Sequence, residues 1–135
     1  MPHGGKVLSN AFTFNAVPAS IVHAGGEPVL VECDENFCID LADLERSVIA
    51  TGAKYLVLSY MRGRIPDMDA VMELVAKHEL YLIEDAAHAY GTEWEGRKIG
   101  SFGKSSTIST QALTVTRNPN PEPEGKIRTR TQFEG

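Results

Sequence analysis

The stretch Leu80-Tyr81-Leu82-Ile83-Glu84-Asp85-Ala86-Ala87-His88-Ala89 decides the fold. Leu80 to Ile83 form a short continuous apolar run, the pattern of a strand covered on both faces of a sheet. Two carboxylates, Glu84 and Asp85, close it. Upstream, Pro28-Val29-Leu30-Val31 and Tyr55-Leu56-Val57-Leu58 read the same way, after a weaker first strand at Lys6–Ser9; Ser105–Thr110 reads as a further strand. Between these runs the apolar period changes to that of a helix. Asn15 is placed to cap a helix reaching about Ala24, with Pro18 in its first turn and Gly25-Gly26 ending it. Asp40 caps a second, with Leu41, Leu44, Val48 and Ile49 on its apolar stripe and Gly52 as the left-handed stop. Asp67 caps a third, carrying Met68, Val71, Met72 and Val75. Strands separated by crossover helices predict an α/β fold built on a parallel sheet.

The chain has 135 residues, of which 42% are apolar and 23% charged, with a net charge of −5. That is the composition of a soluble globular chain with one core. A mildly acidic chain has no electrostatic drive toward nucleic acid or an anionic membrane. No apolar run approaches the roughly 20 residues of a membrane span, and the start, Met1-Pro2-His3-Gly4-Gly5-Lys6, carries no stretch like a signal peptide, so the sequence reads as cytoplasmic. Cys33 and Cys38, with His23 the nearest spare ligand, make at most half a zinc site and read as plain thiols, with no metal site expected. Arg117 to Gly125 holds three prolines in five positions and, together with residues 126–135, reads as a disordered tail. The sequence upstream of that tail reads as the structured part.

In an open parallel sheet, ligands bind beyond the carboxyl ends of the strands. Asp85 lies at that edge, and a helical turn beginning there would bring His88 to the same side. Three uses compete for this pair: acid and base, two metal ligands, or a grip on a planar cationic cofactor. A plainer alternative makes Asp85 a helix cap and His88 a spectator. The loop Ser59 to Arg64 carries Arg62 and Arg64, suited either to an anionic substrate or to plain solvent. Trp94 reads as packing in a turn.

The stretch from Val7 to Gln111 resembles the DegT/DnrJ/StrS-type sugar aminotransferases, pyridoxal-phosphate enzymes of the aspartate-aminotransferase fold. The landmarks run in order: Asn10-Ala11-Phe12-Thr13-Phe14, then Gly25 through Glu32, then Gly63 followed by Pro66-Asp67-Met68-Asp69. The most specific block is Ile83 through Ala89, followed by Gly96-Arg97-Lys98-Ile99-Gly100-Ser101-Phe102-Gly103.

The resemblance implies a partial large domain and gives Asp85 the cofactor's ring nitrogen. It gives His88 the phenolic oxygen, Phe14 the stacking face and Ser109 the phosphate. Full-length members move an amino group from glutamate or glutamine to a keto-sugar, usually a nucleotide-linked one, and place their sites at a homodimer interface. The likeness stops at Gln111, which makes residues 1–111 the partial large domain and residues 112–135 a divergent tail. Where the family subgroup carries the lysine that holds the cofactor covalently, this chain has Thr114, and threonine forms no imine. Neither Lys104 nor Lys126 is placed to replace it. The family's later glycine-rich strand and small domain find no counterpart, and Met1 falls after its phosphate-clamping Gly-Thr segment. The change of character after Gln111 is what a shifted frame or truncated gene would give. The expectation is therefore an inactive fragment with no catalytic residue of its own, binding pyridoxal phosphate weakly or not at all. A non-catalytic module docking on a complete subunit and an unstable product are the alternatives.

Overall fold

Five strands form the main sheet: β1 (Lys6–Asn10), β2 (Glu27–Val31), β3 (Tyr55–Ser59), β4 (Tyr81–Asp85) and β7 (Ser105–Thr107). They lie side by side in the order β2-β1-β3-β4-β7, every neighbouring pair parallel. The helices α1 (Ala16–His23), α2 (Leu41–Thr51) and α3 (Met68–Lys77) connect the first four strands. The computed structural model describes residues 3–109 and 127–129. The fold is the expected α/β one. The sheet grows outward from β1 on both sides, so the strand order reverses between β1 and β3, where a crevice opens at the strands' carboxyl ends.

Alternation along the strands divides the sheet into two unlike faces. Leu8, Leu56 and Leu82 share one register row and point with Leu58 toward α2 and α3, joining Leu44, Val48, Met68 and Val71 in the core. On the opposite face, Val7, Val57 and Ile83 look toward α1, with Ser59, Asp85 and Thr107 aligned in the last row.

Asp40 and Asp67 cap as expected. Each has extended backbone, and their side chains accept from the Asp43 and Ala70 amides at 2.8 and 3.1 Å. Gly52 stops α2 at φ 66°. Asn15 stands at the N-cap of α1 but makes no capping bond, because its backbone is already helical (φ −58°, ψ −22°) and its side chain does not reach back over the first turn.

Other expectations need correcting. The Pro28–Val31 run is not covered on both faces: β2 is an edge strand and Leu30 is 55% exposed. An edge is also where Pro28, lacking a donor, is tolerated. Tyr81 is likewise 42% exposed, and Ile49, a residue past the buried stripe of α2, is 71% exposed. The last strand ends at Thr107 instead of Thr110, which lies outside the described residues.

A second, antiparallel sheet was not foreseen. In it β5 (Thr92–Trp94) turns into β6 (Arg97–Lys98) through Glu95 and Gly96 at φ 48° and 82°. Two left-handed residues in a two-residue loop are the twist-matched hairpin turn. Trp94 is thus a buried strand residue. The other edge of β5 pairs with β8 (Ile127–Thr129), so the expectation of a wholly disordered tail fails for these three residues. They contain no proline, and β5 offers an open row of backbone donors and acceptors. The rest of the tail, Thr114 and Lys126 included, lies outside the described residues.

Candidate functional site

Construction begins at the switch point. Asn10, buried at the end of β1, donates through Nδ2 to the Ser59 carbonyl (3.0 Å) and the Phe12 carbonyl (2.9 Å), and accepts the Ser59 amide at Oδ1 (2.9 Å). One side chain thereby joins β1 to β3 where both strands stop pairing. This fixes the start of the loop that carries Phe14.

Asp85 ends β4 in the row between Ser59 and Thr107. The Ser59 hydroxyl donates to its Oδ2 at 3.1 Å, and the Thr107 hydroxyl and Ala87 amide donate to Oδ1 at 3.2 and 3.3 Å. Three donors from three segments hold the carboxylate in place. A carboxylate has about four acceptor positions, so one remains free. No helix follows Asp85: β4 runs through it and the chain then turns. A capping role is therefore excluded, and so is the helical turn that was to bring His88 round. The turn itself delivers His88, whose Nδ1 accepts the Arg62 amide at 3.0 Å.

Asp85, His88 and Phe14 line one cleft of about 690 Å³ between α1 and the sheet. That volume lies within the range of small-molecule sites, and its walls are mostly apolar, with Val57, Ile83 and Ile21 among them. Phe14, 59% exposed, presents a ring instead of filling the core. Ser109 is not brought in. It lies two residues beyond β7 and outside the lining, whereas Thr107 is inside it. Lys104 precedes β7, its amide bonded to the Leu82 carbonyl at 2.8 Å, at the far end of the strand from Asp85. Arg64 lies over the Phe37 ring at 5.5 Å and takes no part in the cleft lining.

The sequence gives Glu84 no role beyond closing the strand. Fully buried on the α2/α3 face, it accepts the Tyr60 hydroxyl (2.7 Å) and the amides of Gly100 (2.8 Å), Phe102 (2.6 Å) and Gly103 (2.5 Å). Burial, and then the Glu84 charge, push the Tyr60 phenol far above its ordinary pKa, so it remains a donor. Glu84 ties the segment entering β7 to β4, and β7 in turn carries Thr107 to Asp85. The one available signal was a carboxylate in an apolar strand, which burial obliges to find partners.

Of the cysteines, Cys33 Sγ accepts the Phe12 amide at 3.1 Å, while burial, followed by Asp34, pushes the Cys38 thiol up to about 11. Among the described residues, no three His, Cys, Asp or Glu side chains gather as a metal site.

A parallel α/β sheet of this kind is the fold of solved aminotransferases. DesV from S. venezuelae shares this fold at TM-score 0.70 and 31% identity, over 80% of this chain and 29% of that one. Residues 1–115 match the DegT/DnrJ/EryC1/StrS aminotransferase family, and the chain belongs to it. GDP-perosamine synthase of Caulobacter vibrioides is 37% identical over 107 residues, which is 78% of this chain and 29% of that protein. The L-glutamine:2-deoxy-scyllo-inosose aminotransferase of Streptoalloteichus tenebrarius is 36% identical over 113 residues, 83% of this chain and 26% of that protein. The chain thus spans less than a third of the length of these relatives. Among the described residues, no helix is long and apolar enough to cross a membrane.

Proposed function

We propose that these residues form the ring-binding part of a cytoplasmic sugar or aminocyclitol aminotransferase, one that moves an amino group from glutamate or glutamine to a keto-sugar. The observation that carries the proposal is the held carboxylate of Asp85 in the same cleft as Phe14 and His88. The donor set suits a pyridinium ring. Asp85 keeps one acceptor position for a protonated nitrogen, Phe14 offers a flat apolar face, and His88 keeps a ring nitrogen for an oxygen. Bound there, pyridoxal phosphate would supply an electron sink, effective while its ring nitrogen stays protonated. Asp85 would hold that proton, Phe14 would stack on the ring, His88 would donate to the phenolic oxygen, and Ser109 would take the phosphate. A homodimeric partner would complete the site, as in the family.

The 135 residues alone carry no amine at the position of Thr114. Binding is therefore weak and non-covalent, and amino transfer does not occur. Borohydride treatment with pyridoxal phosphate, followed by peptide mass mapping, tests this. Wild type yields no stoichiometric adduct at any one lysine, and Thr114→Lys yields one at position 114. A stoichiometric adduct in wild type, or none in Thr114→Lys, would overturn the assignment of Thr114.

A further inference from the structure

We infer, resting on the cofactor assignment above, that His88 is a two-ended positioning residue: its Nδ1 pins the Met61–Gly63 turn, and this commits its Nε2–H as a donor into the cleft. The turn is the most unusual backbone at the site. Arg62 adopts φ 57° and ψ 27°, a left-handed conformation that a residue with a Cβ occupies only when its surroundings hold it there. In that conformation its amide points at His88 Nδ1, 3.0 Å away. A backbone N–H donates and never accepts, so Nδ1 is the acceptor. In the neutral ring the proton then sits on Nε2. Among the described residues Nε2 has no hydrogen-bond partner, and the ring lines the cleft beside Asp85.

Met61, in the pinned turn, is also a cleft wall. The Tyr60 amide at the base of the same turn bonds the Asp85 carbonyl at 3.1 Å. One ring thereby holds the turn, closes that side of the cleft, and offers the turn's neighbour, the ligand, a donor of fixed tautomer.

The two ends can be separated by substitution. In His88→Asn the amide oxygen stands near the place of Nδ1 and the cleft donor is lost. In His88→Gln the terminal amide stands near the place of Nε2 and the turn's acceptor is lost. Amide hydrogen exchange at Arg62, read by NMR on the unliganded protein, should be protected in wild type and His88→Asn and at least tenfold faster in His88→Gln. Pyridoxine 5′-phosphate, which lacks the aldehyde, should bind His88→Gln about tenfold more tightly than His88→Asn. A cooperative thermal transition in each variant shows that it is folded. Equal Arg62 exchange in all three proteins would overturn the pinning role, whatever the ligand does. Equal affinity of the two variants would overturn the donor role. No binding by wild type, with the exchange pattern intact, would sink the cofactor assignment and leave the pinned turn standing.

Discussion

Glu84 and Asp85 are consecutive carboxylates on one strand, yet they belong to different parts of the molecule. Glu84 faces α2 and α3, excluded from solvent, with its oxygens filled by one phenol and three backbone amides. Asp85 faces α1 at the rim of a cleft, holding two hydroxyls and one amide with an acceptor position to spare. The two-residue period of a strand separates them. The same division holds along β3 and β4. Leu8, Leu56 and Leu82 are sealed under helices, while Val57, Ile83 and Tyr81 on the other face are only partly covered. One face is finished as a core, and the other stays partly open along β3 and β4, although Val7 and Ser9 of β1 are buried on it.

The largest expected effect tests the closed face. Glu84→Ala would leave a buried phenol and three amides without an acceptor, and should cost about 4 kcal/mol of stability in urea unfolding. A loss below about 1 kcal/mol would mean that water already serves those groups and that the two acids are not so different.

The next comparison uses adjacent apolar residues. Leu82→Ala should cost about 3 kcal/mol by opening a cavity in the packed core, whereas Ile83→Ala, at the cleft wall, should cost about 1 kcal/mol. Equal losses would show that both faces are packed alike. Asp85→Ala should change stability least, because its three donors are not sealed from water as those of Glu84 are.

Most of the sheet was readable from period alone, because four apolar runs alternate with three amphipathic stripes. Coverage was not. Whether Leu30 and Tyr81 are buried depends on which strand lies beside them and which helix lies above them, and a run of apolar residues contains neither fact. The hairpin at Glu95-Gly96 was legible in principle from a glycine between two short strands. Its partner β8 was not, since pairing across more than thirty residues leaves no local mark.

At the site, Asp85 stood out because a carboxylate after an apolar run has few other places to be. Its neighbours Ser59 and Thr107 are ordinary hydroxyls, significant only through strand register. Glu84 was passed over because its partners, the amides of residues 100–103, are backbone groups that every residue possesses. The roles of Phe14, His88 and Ser109 entered through family likeness. The geometry gathers the first two around Asp85 and leaves Ser109 apart.

The most direct measurement is an amide NMR titration with pyridoxine 5′-phosphate, which needs no lysine, on wild type and Asp85→Ala. In wild type the shifts should concentrate at Ser59, Asp85, Ala87, His88 and Thr107, and in the folded variant they should vanish. Shifts that survive unchanged in Asp85→Ala, or that gather on the α2/α3 face, would contradict the assignment of this carboxylate to the cofactor ring.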